Sequence, residues 1–166
     1  SKFAEFFRRC RERGFKVVAH AGEEGPAAYV REAVDLLRVQ RLDHGNACLD
    51  DPALLAKLAQ LRMPLTVCPL SNVKLQLVPS MAAHPLRRLM DAGLCVTVNS
   101  DDPSYFGGYV NDNYLACQEA LGLERGDLAT LALNSFEAAF ITPEQRSTAV
   151  LAVDAWVARS EQEAAV

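Results

Sequence analysis

The 166-residue sequence predicts an α/β fold in which short parallel strands alternate with helices. Four short apolar segments, at 15–19, 41–43, 65–68 and 94–98, are each followed by a stretch with the apolar spacing of a helix. Parallel strands are joined by crossovers of a dozen or more residues, usually helices. Because these helices cover both faces of the sheet, the strands are buried on both sides and are apolar throughout. The expected order is therefore one helix, four strand–helix units and further helices.

Proline, glycine and apolar periodicity set the expected helix bounds. The first helix, over 2–13, places its phenylalanines on one face, which we expect to lie in the core. A loop is expected over 69–84. Thr142 is expected to cap the last helix, with Pro143 in its first turn. The other helices are expected to start at Pro26 and Pro52, to lie shortly before Gly93, and to span 111–121, 127–140 and 143–159.

Composition excludes several classes of function. Apolar residues make up 50% of the chain, and 17 basic against 21 acidic side chains give a net charge of −4, so no nucleic-acid partner is expected. No membrane association is expected either, because no run approaches the roughly 18 apolar residues of a span. The five cysteines are an odd number without a Cys-x-x-Cys spacing, which favours a reducing, cytoplasmic location over a disulfide framework.

Polar residues collect at the carboxyl ends of the predicted strands. They occur at 20–23, 43–45, 71–72 and 100–102, at or just after these ends. In a parallel α/β fold the carboxyl ends of the strands lie on one face, where ligands bind. Four separate segments converging on that face predict a functional site more strongly than any one motif does.

Two histidines and one glutamate in these segments have the chemistry of a metal-dependent site. His20 offers a nitrogen to a metal, and Glu23 can donate a proton if a partly closed site raises its pKa. His44 follows a strand directly, and the next residue, Gly45, suggests a close approach to the backbone. The alternative is structural: a helix-capping acid and a histidine hydrogen-bonded inside a turn.

The adjacent carboxylates Asp101 and Asp102 follow an apolar strand. Consecutive strand residues point in opposite directions, so we expect one carboxylate to bind a cation and the other to accept a hydrogen bond from a substrate. The alternative is a turn or helix cap before Pro103. The third histidine, His84, precedes Pro85 in the expected loop, where a loop or capping role is favoured over metal binding.

Four motifs follow one another along the chain: His20-Ala-Gly-Glu23, Arg41-Leu-Asp-His44-Gly45, Cys68-Pro-Leu-Ser-Asn72 and Asn99-Ser-Asp-Asp102-Pro103. Taken together, they resemble the adenosine/adenine deaminase family of the amidohydrolase superfamily. Their order and spacing carry the resemblance over nearly the whole chain. The resemblance implies that residues 1–166 are a single partial domain, the C-terminal half of a (β/α)8 TIM barrel. The structural alternative is a flavodoxin-like sheet, although no phosphate-binding glycine loop follows any strand.

The resemblance also implies a reaction, the zinc-dependent hydrolytic deamination of a 6-aminopurine. One Zn2+ per site and a small-molecule purine substrate are expected. His20 and Asp101 resemble the family's zinc ligands. Glu23 resembles the acid that protonates the purine ring, and His44 resembles the residue that positions the attacking water.

Substrate contacts follow from the same resemblance. Gly22 resembles a backbone donor to purine N3, and Asp102 resembles the acceptor for N7. Asp43 before His44 and the segment 101–109 are similar to adenine deaminases. Adenine is therefore the first expected substrate, and adenosine is the second.

The family's other two zinc ligands belong to a His-x-His pair, which this sequence does not contain. Catalytic zinc usually has three protein ligands, so we expect the chain alone to bind zinc poorly and to be nearly inactive. Half a barrel leaves strand edges unpaired, which predicts association with the N-terminal half or with a second copy. A different metal-dependent amidohydrolase and a non-catalytic binding module are the alternative functions.

Overall fold

The computed structural model describes residues 2–164, and this part of the chain forms a four-stranded parallel sheet. The strands pair in sequence order, which confirms the predicted arrangement. They are β1 (Val18–Ala21), β2 (Arg41–His44), β3 (Pro64–Val67) and β4 (Cys95–Val98). β1 begins later than the expected residue 15 and ends at Ala21 instead of residue 19, so that His20 lies inside the strand.

Helices precede, connect and follow the strands. A π-helical turn, Ala33–Leu37, continues α2, and 3-10 turns span Asn46–Asp50 and Met81–Ala83. Thr142 caps the last helix as expected, since its Oγ1 accepts a hydrogen bond from Gln145 N at 3.2 Å. The helices are α1 (Ala4–Glu12), α2 (Ala27–Glu32), α3 (Pro52–Gln60), α4 (Pro69–Lys74), α5 (Leu86–Asp91), α6 (Pro103–Phe106), α7 (Val110–Leu121), α8 (Arg125–Ala138) and α9 (Pro143–Ala164).

The core lies between the sheet and the helices that cover it. Leu42 of β2 and Leu65 of β3 are fully buried, in one cluster with Leu54 and Leu58 of α3. Burying one such side chain contributes roughly 1.5 to 3 kcal/mol. α8 packs on β4, whose residues are all buried. These contacts hold the strand ends, and the residues that follow them, in a fixed arrangement.

Two expectations from the sequence are wrong. Phe3, which directly precedes α1, and Phe6 are 52% and 64% exposed and not in the core, because α1 packs mainly on the π-helical turn after α2; only Phe7 packs against the core as expected. The stretch 69–84 is not one loop, since it contains α4. A hydrogen bond from Leu70 N to Asn113 Oδ1 of α7, at 3.0 Å, anchors α4. So short a helix depends on tertiary contacts, which apolar periodicity does not reveal.

The register of the sheet brings the predicted polar segments side by side. His20 pairs with Asp43 and Ala21 with His44 across β1 and β2, while β3 and β4 end level at Val67 and Val98. The residues that follow all four strands therefore share one edge. Among the helices of residues 2–164, none combines the length and the apolar character needed to cross a bilayer.

Candidate active site

Two histidines meet at the carboxyl ends of β1 and β2, with ring centroids 5.0 Å apart. The His20 side chain is 68% exposed, and its Nδ1 lies 3.4 Å from Asp43 Oδ2. Thr66 Oγ1 donates a hydrogen bond to the other Asp43 oxygen at 2.9 Å. A carboxylate beside one imidazole nitrogen orients the ring and leaves the second nitrogen for a ligand. The sequence relates Asp43 only to the choice of substrate, although its position directly before His44 in a strand also indicates a place at the site.

Glu23 faces the buried His44, as the convergence of the first two motifs predicts. Glu23 Oε2 lies 3.4 Å from His44 Nε2. Burial, and next the charge of Asp101, raises the pKa of Glu23. Burial, and next the proximity of His20, lowers the pKa of His44. The pair therefore favours a protonated carboxyl beside a neutral imidazole, which suits proton donation to a substrate.

The turn after β2 fixes the direction of His44. His44 and Gly45 both have positive φ angles, 66° and 79°. A Cβ on Gly45 would lie 2.7 Å from Cδ2 of the fully buried Leu65. Only glycine meets both demands without strain. The close approach expected at Gly45 is therefore present, and its partner is a side chain of β3.

Asp101 reaches the site from the loop that follows β4. Its backbone has a φ of 57°, and its Oδ2 accepts a hydrogen bond from Ser71 Oγ at 2.7 Å. Ser71 is fully buried in α4. Potential ligand atoms of Asp101, His44 and Cys68 lie within 4.8 Å of one another. Burial raises the pKa of the Cys68 thiol to about 12, however, and a metal binds the thiolate. Cys68 is thus a weaker candidate ligand than its position suggests.

The donor groups at this edge fit zinc in their chemistry. His20 supplies an imidazole and Asp101 a carboxylate, both of which are ordinary zinc ligands. His44 Nδ1 and Glu23 Oε1 are buried without a hydrogen-bond partner among the described residues. Buried polar atoms in proteins are nearly always paired, so these two atoms mark a place for a polar ligand or water.

An open cavity of about 420 Å³ lies at this edge of the sheet. This volume is in the range of small-molecule sites. Three of the predicted residues, His20, His44 and Asp101, line it together with Asp43. Glu23 lines an adjoining cavity that also contacts His20.

Two other predicted residues have contacts of their own. Asp102 is exposed, and its Oδ1 accepts a hydrogen bond from Tyr105 N at 3.2 Å as the N-cap of α6. The side chains of Asp101 and Asp102 have different partners, as expected. The cause is the conformation of the loop that follows β4 and not the alternation of side chains along a strand. The carbonyl of Gly22 accepts a hydrogen bond from Ala47 N at 2.9 Å. The substrate contacts of Asp102 and Gly22 remain predictions.

His84 has the capping role that the sequence favours. It is 4% exposed, and its Nδ1 accepts a hydrogen bond from Leu86 N at 3.1 Å. Burial lowers the pKa of His84 to about 4. The side chain is therefore a neutral, buried hydrogen-bonding group at ordinary pH.

Comparison with known proteins decides the family. The sequence model of the adenosine deaminase family matches residues 1–156 of the chain. The chain belongs to the adenosine deaminase family. This assignment confirms the resemblance predicted from the four motifs. The chain is similar to an adenine deaminase of Rhodopseudomonas palustris, with 58% identity over 96% of this chain, and to one of Acinetobacter baylyi, with 61% identity over 88% of it.

Solved structures extend the comparison to the fold. The chain matches a crystal structure of adenine deaminase from Arthrobacter aurescens with a TM-score of 0.92 and 46% identity, over 94% of this chain and 48% of that one. It also matches an amidohydrolase from Burkholderia ambifaria with bound zinc, with a TM-score of 0.90 and 30% identity, over 99% and 46% of the two chains. The chain spans about half the length of the curated relatives it matches, 46% and 44% of the two named above. The predicted half of a TIM barrel is confirmed.

Proposed function

We propose that this chain supplies one part of a zinc-dependent site that hydrolyses the 6-amino group of adenine to give hypoxanthine and ammonia. The observation that carries the proposal is that His44 and Asp101 line one open cavity, while Glu23, whose Oε2 lies 3.4 Å from His44 Nε2, lines the adjoining one. The adenine deaminases at 58% and 61% identity support adenine as the substrate.

His20 and Asp101 are the proposed ligands of one zinc ion. When bound, zinc lowers the pKa of water and so supplies a nucleophile near neutral pH. Asp43 orients His20, and Ser71 holds one oxygen of Asp101. Two further histidine ligands are proposed to come from a segment outside these 166 residues. The bound zinc of the similar amidohydrolase supports the choice of metal.

Glu23 and His44 are proposed to have different roles, proton donation and the orientation of the attacking water. Glu23, whose pKa burial raises, holds a proton that it donates to ring nitrogen N1, which makes C6 more electrophilic. His44 is buried and neutral, so a ring nitrogen accepts a hydrogen bond from the attacking water and orients it. Gly22 and Asp102 are the proposed contacts to N3 and N7 of the purine.

Complementation tests this function. The chain is mixed with zinc and with the remaining N-terminal half of the Rhodopseudomonas palustris adenine deaminase, and ammonia release is measured. We expect turnover of adenine by the mixture and almost none by the chain alone, since His20 and Asp101 are two ligands where catalytic zinc usually has three. The absence of turnover by a mixture that forms a stable complex would support a non-catalytic module and refute the proposal.

Substrate choice is tested in the same assay. Adenine and adenosine are compared by kcat/KM, because adenosine deaminase is the family's description and is the second candidate. Faster deamination of adenosine would overturn the assignment of the free base. Activity on a non-purine amide, without activity on either purine, would indicate a different amidohydrolase.

Two matched pairs of variants test the residue roles in the complemented protein. Glu23→Gln is expected to lower kcat by roughly 10² to 10⁴, the usual contribution of a general acid. Glu24→Gln removes the exposed neighbouring carboxylate and is expected to leave kcat unchanged. Asp101→Asn is expected to weaken zinc binding, and Asp102→Asn to raise KM with zinc binding retained. Equal effects within either pair would contradict the assignment.

We also propose a cytoplasmic location and an association through the sheet. The described cysteines are all free, which suits a reducing compartment. Within residues 2–164, β1 pairs with β2 alone, so its other edge can receive a strand of the N-terminal half or of a second copy. Sedimentation of the isolated chain as a stable, folded monomer would count against this association.

A further inference from the structure

A buried polar network lies behind the candidate site, and the proposed function leaves it unexplained. Asn72 of α4 is fully buried, and its Oδ1 accepts a hydrogen bond from Asn46 Nδ2 at 2.7 Å. The same oxygen lies 3.2 Å from His84 Nε2. Because His84 Nδ1 already accepts from Leu86 N, the neutral ring carries its proton on Nε2 and donates it to Asn72.

One end of this network lies on the turn that fixes His44. Asn46 follows His44 and Gly45, the two consecutive residues with positive φ. A strained backbone of this kind persists only where the surrounding contacts determine it. The turn is also held to β1 by hydrogen bonds from Gly45 N to Ala21 O at 3.0 Å and from Ala47 N to Gly22 O at 2.9 Å.

The network is not built for stability alone. Asn72 Nδ2 and Asn46 Oδ1 are buried without a hydrogen-bond partner among the described residues. A partly satisfied buried network destabilises a fold relative to apolar side chains of the same shape. Its three side chains come from the turn after β2, from α4 and from the segment before α5, so they tie together elements that strand pairing does not connect.

We propose that His84, acting through Asn72 and Asn46, is a positioning residue for the His44 turn. His84 is buried and lines neither of the two cavities at the candidate site. Its task is to hold Asn72 so that Asn46 keeps the turn in its left-handed conformation. An effect of His84 on catalysis rests on the proposed function of His44. The effect of His84 on the conformation of the turn is independent of that function, and it is tested without substrate or metal.

Two amide variants of His84 separate the two hydrogen bonds, because each places a polar atom near one of the two ring nitrogens. His84→Asn keeps an acceptor near the Nδ1 position for Leu86 N and removes the donor to Asn72. His84→Gln keeps a donor near the Nε2 position and removes the acceptor for Leu86 N. Amide hydrogen exchange is followed at Ala47, which reports on the turn, and at Thr97 of β4, which reports on global opening.

We expect His84→Asn to accelerate exchange at Ala47 by about tenfold or more relative to Thr97, the effect of removing one buried hydrogen bond. In His84→Gln the ratio of the two rates should stay near that of the parent chain. Equal acceleration at both amides in His84→Asn, or a selective effect in His84→Gln alone, would overturn the proposal.

A second variant guards against a failure to fold. Asn46→Ala removes the link at the turn and leaves His84 and its bond to Leu86 N in place. It is expected to give the same selective acceleration at Ala47. In the complemented protein both His84→Asn and Asn46→Ala are expected to lower kcat more than they raise KM. An unchanged Ala47 rate in Asn46→Ala would likewise refute the positioning role.

Discussion

Acid should destabilise this chain through His84, and the size of the effect follows from its burial. The pKa of His84 is about 4 in the folded protein against 6.5 for the free side chain, because burial disfavours the charged ring. Between these values the unfolded chain binds a proton that the folded chain does not. The free energy of unfolding therefore falls as the pH is lowered through this range.

The magnitude follows from the linkage relation. The difference between the His84 pKa values of 6.5 in the unfolded chain and about 4 in the folded chain corresponds to roughly 3 kcal/mol of stability, at 1.36 kcal/mol per pKa unit. About 2 kcal/mol of this is expected to be lost between pH 7 and pH 5, and most of the rest by pH 4. That is a large share of the 5 to 15 kcal/mol by which domains are usually stable.

Urea denaturation followed by circular dichroism at pH 7, 6, 5 and 4 measures the effect. Other groups also titrate in this range, so the quantity compared is the difference between the parent chain and His84→Asn. The variant keeps the hydrogen bond from Leu86 N but has no ionisable ring. We expect it to be less stable at pH 7 and to lose about 2 kcal/mol less than the parent between pH 7 and pH 5. Parallel losses in the two proteins would refute the reasoning.

Three further predictions concern the turn, the metal ligand and the thiols. Gly45→Ala is expected to lower the free energy of unfolding, measured in urea, by about 3 kcal/mol, because φ is positive and Leu65 blocks the new Cβ. Gly14→Ala should lower it by about 1 kcal/mol, because φ is positive there too but nothing lies within 4 Å of the new Cβ. Ser71→Ala should weaken zinc binding by the complemented protein by about 10- to 100-fold in a zinc titration, and Ser100→Ala should not. Iodoacetamide at pH 8 should modify Cys10 of the folded chain first, because the other cysteines are buried, and mass spectrometry identifies the modified residue. These predictions would be contradicted by an equal loss of stability in the two glycine variants, by an equal zinc affinity of the two serine variants, or by equal alkylation of all the cysteines.

The sequence predicted the sheet well because its signals are local. Strand segments are short, apolar and bounded by glycine and proline, and the chain order of a parallel fold leaves few topologies. The meeting of His20, Glu23, His44 and Asp101 followed from the same fact, since parallel strands end on one face. Their roles in catalysis remain predictions.

The failures have a different origin. Periodicity placed Phe3 and Phe6 in the core, but which side of a helix is covered depends on the elements that lie beside it. Helix α4 was missed because six residues carry too few repeats to show a period, and its anchor, Asn113, is distant in the sequence. Ser71 was seen only as a polar residue at a strand end, since nothing local indicates its hydrogen bond to Asp101.

By itself, then, the sequence determined the order of the strands, the edge of the sheet that carries the candidate site and the family of the protein. Tertiary structure alone decided that Asp101 turns toward His44 while Asp102 caps a helix, and that His84 is buried behind the turn. The physical reason is that strand periodicity is a property of neighbouring residues, whereas the direction of a side chain after a strand depends on backbone angles such as the φ of 57° at Asp101. Contacts from elements far apart in the chain hold those angles.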